Sequence, residues 1–374
     1  MNGDSTRCVR AVAAEKIPGS PMQRGPVFAA PYQLSAEEGT ETDTYARASN
    51  PGWRDLESAL ASLEGASGAL AVGSGMSAVT VALRSLLTAG DTVVVPSDGY
   101  YQVRAYARER LEPMGITVHE LKTTEMASEV AAGLLATAAG TTVVVAETPA
   151  NPSLDVVDLR AVSERCRSVG AVLVVDNTTA TPLGQQPLEL GADVVVASGT
   201  KTLSGHSDLL MGYIAASDAD LLARMGRERA LSGTVLGPFE TWLAHRSLGT
   251  AGLRFERQCA NALALAALLE SHPAAEHVRY PGLPGDPAHD VASAQMRSFG
   301  GLVSFEFGSA DRFHRFVAGS ELLVSATSFG GIHTTADRRA RWGDPVPDGF
   351  VRISCGIEDT DDLIVDVERA LSAL

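Results

Sequence analysis

Four short runs of β-branched and other apolar residues constrain the fold of this 374-residue chain more than any other sequence feature. The runs are 92–96, 141–146, 171–175 and 194–197, and helical patterns separate them, as at 126–138 and 159–169. Such runs are typical of strands buried on both faces. Their alternation with helices predicts a mostly parallel sheet between two helical layers, which is an α/β fold.

Polar residues stand at or just beyond the ends of the predicted strands. Right-handed crossovers bring the carboxyl ends of parallel strands to one edge of a sheet, so we expect these side chains to gather there. They are Tyr100, Asn151, Asp176, Ser198, Thr200 and Lys201. Open α/β sheets bind ligands at this edge, and we expect the functional site there.

Lys201 is the most informative of these residues, because it follows the last run within Ser198-Gly-Thr-Lys201. An amine beside hydroxyl groups suits a Schiff base with a phosphorylated aldehyde cofactor, although a solvated surface lysine is the common alternative. Asp176 ends an earlier strand, where a carboxylate serves as a metal ligand, a ribose reader, a helix cap or the partner of a protonated pyridine nitrogen. The two residues together favour pyridoxal phosphate (PLP).

A glycine turn follows a strand predicted at 68–72 and precedes a helix predicted at 78–87, whose N-terminal amides would face an anion. The turn also meets the relaxed dinucleotide pattern G-x-G-x-x-A, with Asp98 near the place of a ribose reader. A nicotinamide-dependent oxidoreductase is therefore an alternative. It leaves Asp176 and Lys201 unexplained, so a single phosphate is favoured.

Composition and charge exclude several classes of protein. The net charge of −15 leaves no basic surplus to neutralise the phosphates of a nucleic acid. The four cysteines have no C-x-x-C spacing, which argues against a disulfide framework or a zinc site, and we predict no metal site. With no apolar signal segment and no apolar run of membrane-spanning length, we expect a cytoplasmic protein with no membrane partner.

The length of the chain and a change of character near residue 235 predict two domains. Residues 1–50 are rich in glycine, proline and threonine and show no helical pattern, so we expect an N-terminal arm at an interface. Residues 51–235 are expected to form the large PLP-binding domain. Residues 236–374 are expected to form a smaller α+β C-terminal domain.

Within the smaller domain the patterns predict one long helix over 239–271 and strands at 301–307 and 350–355. A final helix is predicted over 361–371, with Thr360 as its N-cap.

Five ordered motifs, spread nearly from end to end, resemble the cystathionine γ-lyase/γ-synthase family. Its members are PLP-dependent enzymes of Cys and Met metabolism in fold type I, and the chain looks most like a cystathionine γ-lyase. The motifs are Tyr45-x-Arg47, Glu147-Thr-Pro-Ala-Asn151-Pro152, Val175-Asp176-Asn177-Thr178, Ser198-Gly-Thr-Lys201-Thr-Leu-Ser-Gly-His-Ser-Asp208 and Phe350-Val-Arg352-Ile-Ser-Cys-Gly-Ile-Glu-Asp359.

The resemblance implies roles in cofactor binding and catalysis. Lys201 would carry PLP and then act as the mobile base, and Asp176 would pair with the pyridine nitrogen. Tyr100 would stack on the ring and protonate a departing thiol. Tyr45 and Arg47 would reach the phosphate of a neighbouring subunit, which implies a homo-oligomer of at least two chains and usually four. The remaining cofactor contacts implied are Ser198, Thr200, Thr178 and the backbone amides of Gly75 and Met76.

The resemblance also implies a substrate site. Arg352 would bind the substrate carboxylate in a bidentate pair, which a lysine would not reproduce. Asn151 would lie near that carboxylate and the phenolic oxygen of the cofactor. Ser328 would touch the lysine, with Thr327 beside it.

The chain departs from the family pattern around the substrate. Tyr100 is followed by Tyr101-Gln102-Val103 instead of glycine and small residues, which would narrow the mouth of the site. Thr327 stands where many members that use cystathionine carry a glutamate suited to its distal ammonium group. Asp337 or Asp344 would replace that carboxylate, or would instead form surface salt bridges with the nearby arginines.

We therefore expect a PLP-dependent carbon–sulfur lyase that converts L-cystathionine to cysteine, 2-oxobutanoate and ammonia. γ-Replacement of the cystathionine γ-synthase or O-acylhomoserine sulfhydrylase type, β-elimination and methionine γ-elimination stay open, because they would use the same residues. A catalytically silent PLP-binding relative is disfavoured, since Lys201, Asp176, Tyr100 and Arg352 are all present.

Overall fold

The computed structural model describes residues 3–14, 16–37, 39–128 and 140–374. The first sheet of this part of the chain has seven strands. In chain order they are β1 (Gly68–Val72), β2 (Thr92–Pro96), β3 (Thr117–Leu121), β4 (Thr142–Glu147), β5 (Val172–Asp176), β6 (Val194–Ala197) and β7 (Gly212–Ala216). The order across the sheet is β1-β7-β6-β5-β4-β2-β3. Strand β7 is antiparallel to both of its neighbours and the other pairs are parallel.

Helices cover both faces of this sheet, as the sequence predicts. The α-helices of the described residues are α1 (Asp4–Ala11), α2 (Pro51–Glu64), α3 (Gly75–Leu86), α4 (Tyr101–Tyr106), α5 (Leu159–Val169), α6 (Thr181–Gly184), α7 (Ala219–Ser232), α8 (Pro238–Leu248), α9 (Ala251–Ser271), α10 (His289–Gln295), α11 (Ala310–Gly319) and α12 (Thr360–Ser372). A π-helical turn lies at Ala107–Leu111, and short 3-10 turns lie at Glu112–Met114, Thr123–Glu125, Pro187–Leu190 and Arg339–Trp342.

The alternation of side chains along β6 shows how the two faces are filled. Val194 and Val196 pack into a core with α3 and α7, whereas Val195 and Ala197 pack into a second core with α2 and α8. Every residue of β6 is buried. A strand with helices on both sides needs apolar residues at successive positions, which is why its sequence shows no polar alternation.

A second sheet lies in the later part of the chain. Its strands are β8 (Glu276–Arg279), β9 (Leu302–Glu306), β10 (Val324–Ser325), β11 (Thr335–Arg338) and β12 (Phe350–Ser354), in the order β10-β11-β12-β9-β8. All neighbouring pairs are antiparallel except β10 with β11. Phe305, Phe307 and Phe316 form its core with residues of α9 and α12. The two sheets lie on either side of residue 235, and the division into two domains there stays a prediction.

The expectation that residues 1–50 contain no helix is wrong at residues 4–11. Cys8 of α1 is fully buried against a core that includes residues of α2, α8 and α9. Gly252 of α9 lies close to this helix, because a Cβ atom there would come within 2.7 Å of Ser5. The buried Cys8 is enough to attach this eight-residue helix to the core. A single buried residue cannot, however, produce a periodic apolar pattern in the sequence.

Two predictions in the second half need correction. The helix predicted over 239–271 is two helices, which separate at Gly249 and Thr250 because glycine is a poor helix former. Thr360 is not the N-cap of the last helix: Asp359 precedes α12, and the Thr360 hydroxyl lies 2.6 Å from Asn261 Oδ1 instead.

The sequence patterns do not predict two strands of the first sheet, β3 and β7. The helix predicted over 126–138 lies outside the described residues from residue 129 onward. Of the helices that the structure describes, none is both long and apolar enough to cross a membrane.

A buried carboxyl group lies beneath the first sheet, at the C-terminal end of α2. Glu64 is fully buried, and its Oε1 accepts a hydrogen bond of 2.6 Å from the Tyr213 hydroxyl of β7. Its Oε2 has no hydrogen-bond partner. Burial raises the pKa of Glu64 to about 7, against the opposing effect of the hydrogen bond from Tyr213. The group therefore stabilises the fold best in its neutral form.

We predict that Glu64→Gln raises the free energy of unfolding at pH 8 by up to about 3 kcal/mol. This is the free energy that corresponds to the rise in the pKa of Glu64 from 4.5 to about 7 on folding. The folded-state pKa is raised, so wild-type stability is complete below about pH 4.5 and decreases as the pH rises toward 7. Urea unfolding at several pH values measures the difference. Glu368→Gln, at an exposed position of α12, is the control. A Glu64→Gln variant with the pH dependence of the wild type would contradict the assignment.

Candidate active site

A cavity of about 450 Å³ lies at the carboxyl ends of β4, β5 and β6, against β12 of the second sheet. It brings together every predicted site residue except Tyr45 and Arg47. The predicted residues lining it are Gly75, Met76, Tyr100, Asn151, Asp176, Thr178, Ser198, Thr200, Lys201, Thr327, Ser328 and Arg352. Sequence reasoning assigned no role to eight others that line it, namely Ser74, Val79, Glu147, Thr179, Leu210, Phe329, Arg339 and Trp342.

Lys201 lies four residues beyond β6, and its amine is held from the side of the second sheet. Nζ donates a hydrogen bond of 2.7 Å to Ser328 Oγ and lies 5.3 Å from the ring centroid of Phe329. Burial, then the positive charges of Arg352 and Arg339, lowers the pKa of Lys201 to about 8, against the effect of Asp176. About a tenth of the amine is then unprotonated at pH 7, far more than for an ordinary lysine, and the unprotonated form is the one that acts as a nucleophile or a base.

Two carboxyl groups stand side by side at neighbouring strand ends, because Glu147 of β4 and Asp176 of β5 are register partners. Glu147 Oε2 accepts a hydrogen bond of 2.6 Å from the Tyr100 amide, and Oε1 accepts one of 2.8 Å from the Asn151 amide. Burial, then the charge of Asp176, raises the pKa of Glu147 to about 8. Glu147 thus holds the backbone of Tyr100 and of Asn151, two residues that line the cavity. Its place at a strand end beside Asp176 is the sequence signal that would have identified it.

Asp176 is half-buried, with part of its surface open to the cavity, and desolvation by the surrounding protein raises the pKa of its carboxyl group despite hydrogen bonding to Thr178 and the charge of Lys201. Its Oδ1 accepts a hydrogen bond of 2.9 Å from the Thr178 amide. A cationic partner in the cavity would stabilise the carboxylate form.

The glycine turn before α3 forms the opposite side of the cavity. Ser74 caps α3 by accepting a hydrogen bond of 3.0 Å from the Ser77 amide. The turn lies so close to the end of β6 that a Cβ atom on Gly75 would come within 2.6 Å of Ser198 Cβ. The first amides of α3, together with the Ser198 hydroxyl, therefore present hydrogen-bond donors to an anion. Thr200 also lines the cavity, but its amide and hydroxyl both donate to the Met211 carbonyl oxygen, at 3.2 and 3.1 Å.

Arg352 of β12 is almost completely buried and reaches across to the first sheet. Its Nη1 donates to Asn151 Oδ1 at 2.6 Å, and Nη2 donates to the carbonyl oxygen of Ser328 at 2.6 Å. Its Nε has no hydrogen-bond partner. Burial, then the charge of Arg339, lowers the pKa of Arg352 to about 9. An incoming carboxylate would relieve both the unsatisfied donor and the unfavourable charge.

Asp337 and Asp344 do not form surface salt bridges, because both are buried. Arg339 donates to Asp337 Oδ2 at 2.8 Å and lies 2.6 Å from Asp344 Oδ2. Asp337 Oδ1 also accepts a hydrogen bond of 2.9 Å from Trp342 Nε1. The pairing with an arginine is as expected and the surface location is wrong. Neither acid lines the cavity, so neither replaces the glutamate of the family at Thr327.

Tyr45 and Arg47 lie outside the cavity of their own chain. Tyr45 is 48% exposed, and Arg47 lies 5.7 Å from its ring centroid and donates to the carbonyl oxygen of Ala230 at 3.3 Å. Their predicted role in a neighbouring subunit stays a prediction.

Asp98 has a structural role and does not bind a ribose. Its carboxylate accepts hydrogen bonds from the amide and the hydroxyl of Thr123, at 3.0 and 2.8 Å. His206 is likewise engaged locally, since its Nδ1 lies 2.6 Å from the carbonyl oxygen of Ser204.

Comparison with known proteins covers nearly the whole chain. A family model described as Cys/Met metabolism PLP-dependent enzyme matches residues 15–372. A protein of Streptomyces coelicolor, named provisionally as a cystathionine gamma-lyase, is 48% identical over 99% of this chain and 93% of its own. The L-methionine gamma-lyase of Pseudomonas putida is 39% identical, over 88% of this chain and 85% of its own.

Solved structures agree with this chain along its whole length. The cystathionine gamma synthase of Xanthomonas oryzae, in complex with cystathionine, has a TM-score of 0.93 at 31% identity and covers 100% of this chain and 98% of its own. A methionine gamma lyase from Micromonospora echinospora has a TM-score of 0.91 at 35% identity, with 99% of both chains covered.

A mostly parallel sheet that presents a half-buried lysine beyond one strand end and a carboxylate at another, beside a glycine turn suited to an anion, is the arrangement of a PLP-dependent enzyme of fold type I. The chain belongs to the Cys/Met metabolism PLP-dependent enzyme family. It is therefore a carbon–sulfur enzyme that performs γ-elimination or γ-replacement on sulfur amino acids, with PLP as its cofactor.

The described residues fit PLP on chemical grounds that do not depend on the relatives. An amine with a pKa of about 8 suits a bond to an aldehyde, and Asp176 lacks a full cationic partner. The N-terminus of α3 suits a phosphate.

We predict that Gly212→Ala raises the Kd for PLP at least about tenfold, the scale of an overpacking penalty. Gly212 lies on β7 against the glycine turn, and a Cβ atom there would overlap the Ser74 carbonyl group and lie 2.8 Å from the Gly75 nitrogen. Gly226→Ala in α7 is the matched control. Its Cβ would meet only Leu70 at 3.9 Å, so the variant should be stabilised by about 0.5–1 kcal/mol with unchanged PLP affinity. Equal PLP affinity in both variants would contradict the packing argument.

Proposed function

We propose that the enzyme catalyses γ-elimination on L-cystathionine, releasing cysteine, 2-oxobutanoate and ammonia with the consumption of one water. The observation that carries the proposal is that one residue contacts both the candidate base and the candidate carboxylate clamp. Ser328 accepts from Lys201 through its hydroxyl and from Arg352 through its carbonyl group. An amino acid bound to Arg352 would therefore present its α-carbon to Lys201. The likeness to the Streptomyces protein supports cystathionine as the substrate.

The cofactor is held by residues from the first sheet. Lys201 would carry PLP covalently, Asp176 would pair with the pyridine nitrogen, and Tyr100 would stack on the ring. PLP, when bound, would withdraw electrons from the substrate and so make its α-proton acidic. Ser198, Thr200, Thr178 and the amides of Gly75 and Met76 would hold the phosphate.

Lys201 and Tyr100 move the protons of the reaction. Once the substrate displaces it, Lys201 removes the α-proton and then a β-proton, for which a lowered pKa prepares it. Burial, with Tyr101 beside it, raises the pKa of Tyr100, so its hydroxyl group keeps the proton that a departing thiol requires. Arg352 and Asn151 hold the substrate carboxylate, with Ser328 and Thr327 beside it.

Methionine γ-elimination is the second candidate, because Thr327 supplies no charge for the distal ammonium group of cystathionine. Names of relatives do not separate the two: the same Micromonospora protein is called a methionine gamma lyase in one structure and a cystathionine gamma lyase in another. γ-Replacement, as in the Mycobacterium tuberculosis cystathionine gamma-synthase at 39% identity, would use the same residues.

A homo-oligomer and a cytoplasmic location complete the proposal. Tyr45 and Arg47 would lie against the phosphate of a second copy, in at least a dimer and most simply a tetramer. Tyr45 is available for this contact because it is exposed.

We predict that Lys201→Ala abolishes 2-oxobutanoate release from L-cystathionine and the yellow absorbance of bound PLP, while the fold measured by circular dichroism persists. The chain has three lysines, and Lys122→Ala is the control because Lys122 is exposed and does not line the cavity. Borohydride reduction followed by peptide mapping should find the cofactor on Lys201. An adduct on Lys16 or Lys122, or a fully active Lys201→Ala variant, would refute the assignment.

We predict that Arg352→Ala raises the KM for L-cystathionine by the equivalent of about 2–5 kcal/mol, because the substrate carboxylate loses a buried partner. Arg352→Lys should recover only part of this, since an ammonium group lacks the bidentate geometry. Arg257→Ala, at an exposed position paired with Asp359, is the control. Steady-state kinetics provide the measurement, and an unchanged KM in both Arg352 variants would place the carboxylate elsewhere.

A further inference from the structure

The proposed substrate has a second amino-acid head group beyond its sulfur, and the acids of the cavity do not account for its recognition. Two acids line the cavity, Glu147 and Asp176. Glu147 is engaged by two backbone amides, and Asp176 lies at the strand end beside Lys201. Asp337 and Asp344 are held by Arg339. Within the described cavity, no carboxylate is left for a distal ammonium group.

Aromatic rings take the place of acids on this side of the cavity. Trp342 lines it together with Tyr100 and Tyr101, whose rings meet edge to face with centroids 5.3 Å apart. Trp342 is 44% exposed, which is high for an indole that has a fixed hydrogen bond. Indole is the aromatic group that attracts a cation most strongly. The wall is therefore suited to an ammonium group although it carries no negative charge.

Trp342 is held in a fixed relation to the carboxylate clamp. Its Nε1 donates to Asp337, and Asp337 lies 3.6 Å from Arg352 Nη2, its register partner on β12. The short turn Arg339–Trp342 that carries the indole is anchored at its start by the pairing of Arg339 with two buried acids. The carboxylate of Asp337 thus links Arg352, which would bind the first head group, to the indole ring of Trp342.

A cation of the same turn stands next to the indole. Arg341 is exposed, and its guanidinium carbon lies 5.3 Å from the ring centroid of Trp342. Within the part of the chain that the structure describes, Arg341 has no acidic partner at salt-bridge distance, unlike Arg338 and Arg339. Arg341 does not line the cavity itself, but its guanidinium group lies beside Trp342, which does, and a guanidinium group without an acidic partner suits a carboxylate.

We propose that Arg341 and Trp342 together recognise the distal amino-acid head group of the substrate, a role that rests on the proposed function. Arg341 pairs with the distal carboxylate, and the indole of Trp342 attracts the distal ammonium group. The pair supplies both halves of a zwitterion site where Thr327 supplies no charge. A substrate without the second head group, such as L-homocysteine, gains nothing from the pair.

The test compares kcat/KM for L-cystathionine and L-homocysteine in the holoenzyme, because both substrates yield 2-oxobutanoate. Trp342→Ala and Arg341→Ala should each lower the ratio of cystathionine to homocysteine kcat/KM about tenfold. Trp342→Phe, which keeps a ring but loses the N–H group, should keep most of the ratio. Arg315→Ala, at an exposed arginine of α11, is the charge-matched control and should leave the ratio unchanged. PLP absorbance and thermal unfolding show that each variant is folded and loaded.

The possible outcomes distinguish a failure of the proposed recognition site from a failure of the proposed function. If the wild type releases 2-oxobutanoate from L-cystathionine but the variants keep the wild-type ratio, the recognition site is wrong and the proposed function stands. If Trp342→Ala fails to load PLP, Arg341→Ala decides the question, because the exposed Arg341 side chain makes no hydrogen bond or ion pair in the described structure. If the wild type is inert to L-cystathionine, the proposed substrate falls and the recognition site falls with it.

Discussion

The active cavity depends on the contact that Ser328 makes with Lys201 and Arg352 at once. Lys201 belongs to the end of the first sheet and Arg352 to the second, so Ser328 joins the candidate base to the candidate carboxylate clamp across the two sheets. Helix α9 supports the same junction, since Arg254 donates to the Thr202 carbonyl group and Gln258 to that of Gly331. The relative placement of the two sheets therefore sets the distance between proton transfer and substrate binding, on which the reaction rate depends.

Burial of like charges gives this junction its chemistry. Lys201, Arg339 and Arg352 all line one cavity, and the acids that compensate Arg339 lie behind it. Taking cations out of water is costly unless they are paired, and the enzyme leaves part of that cost uncompensated at Lys201 and Arg352. As a result, the pKa of Lys201 is lowered, and Nε of Arg352 has no hydrogen-bond partner. Each consequence favours what the reaction needs, a free amine and an incoming carboxylate.

The sequence predicts the part of the site that local patterns determine. Lys201 and Asp176 follow apolar runs, and parallel topology brings strand ends together, so both could be placed from the pattern alone. Arg352 and Ser328 come from a distant segment, and only the resemblance to a family placed them. Trp342 and the buried state of Asp337 escaped prediction, because a run of acids and arginines looks the same in sequence whether it lies on the surface or under a second sheet. Tertiary packing decides that difference.

The scarcity of lysine sharpens the selectivity of the site. The chain contains 30 Lys and Arg residues, of which three are lysines, and the two besides Lys201 are exposed. Desolvation and two nearby guanidinium groups lower the pKa of Lys201, so this amine gives up its proton more readily than an ordinary lysine. Arginine does not lose its proton at neutral pH, so a chain whose cations are mostly arginine offers an aldehyde few competing amines. Among the lysines of the chain, Lys201 is therefore the amine best suited to react with the cofactor, and its hydrogen bond to Ser328 holds it at the cavity.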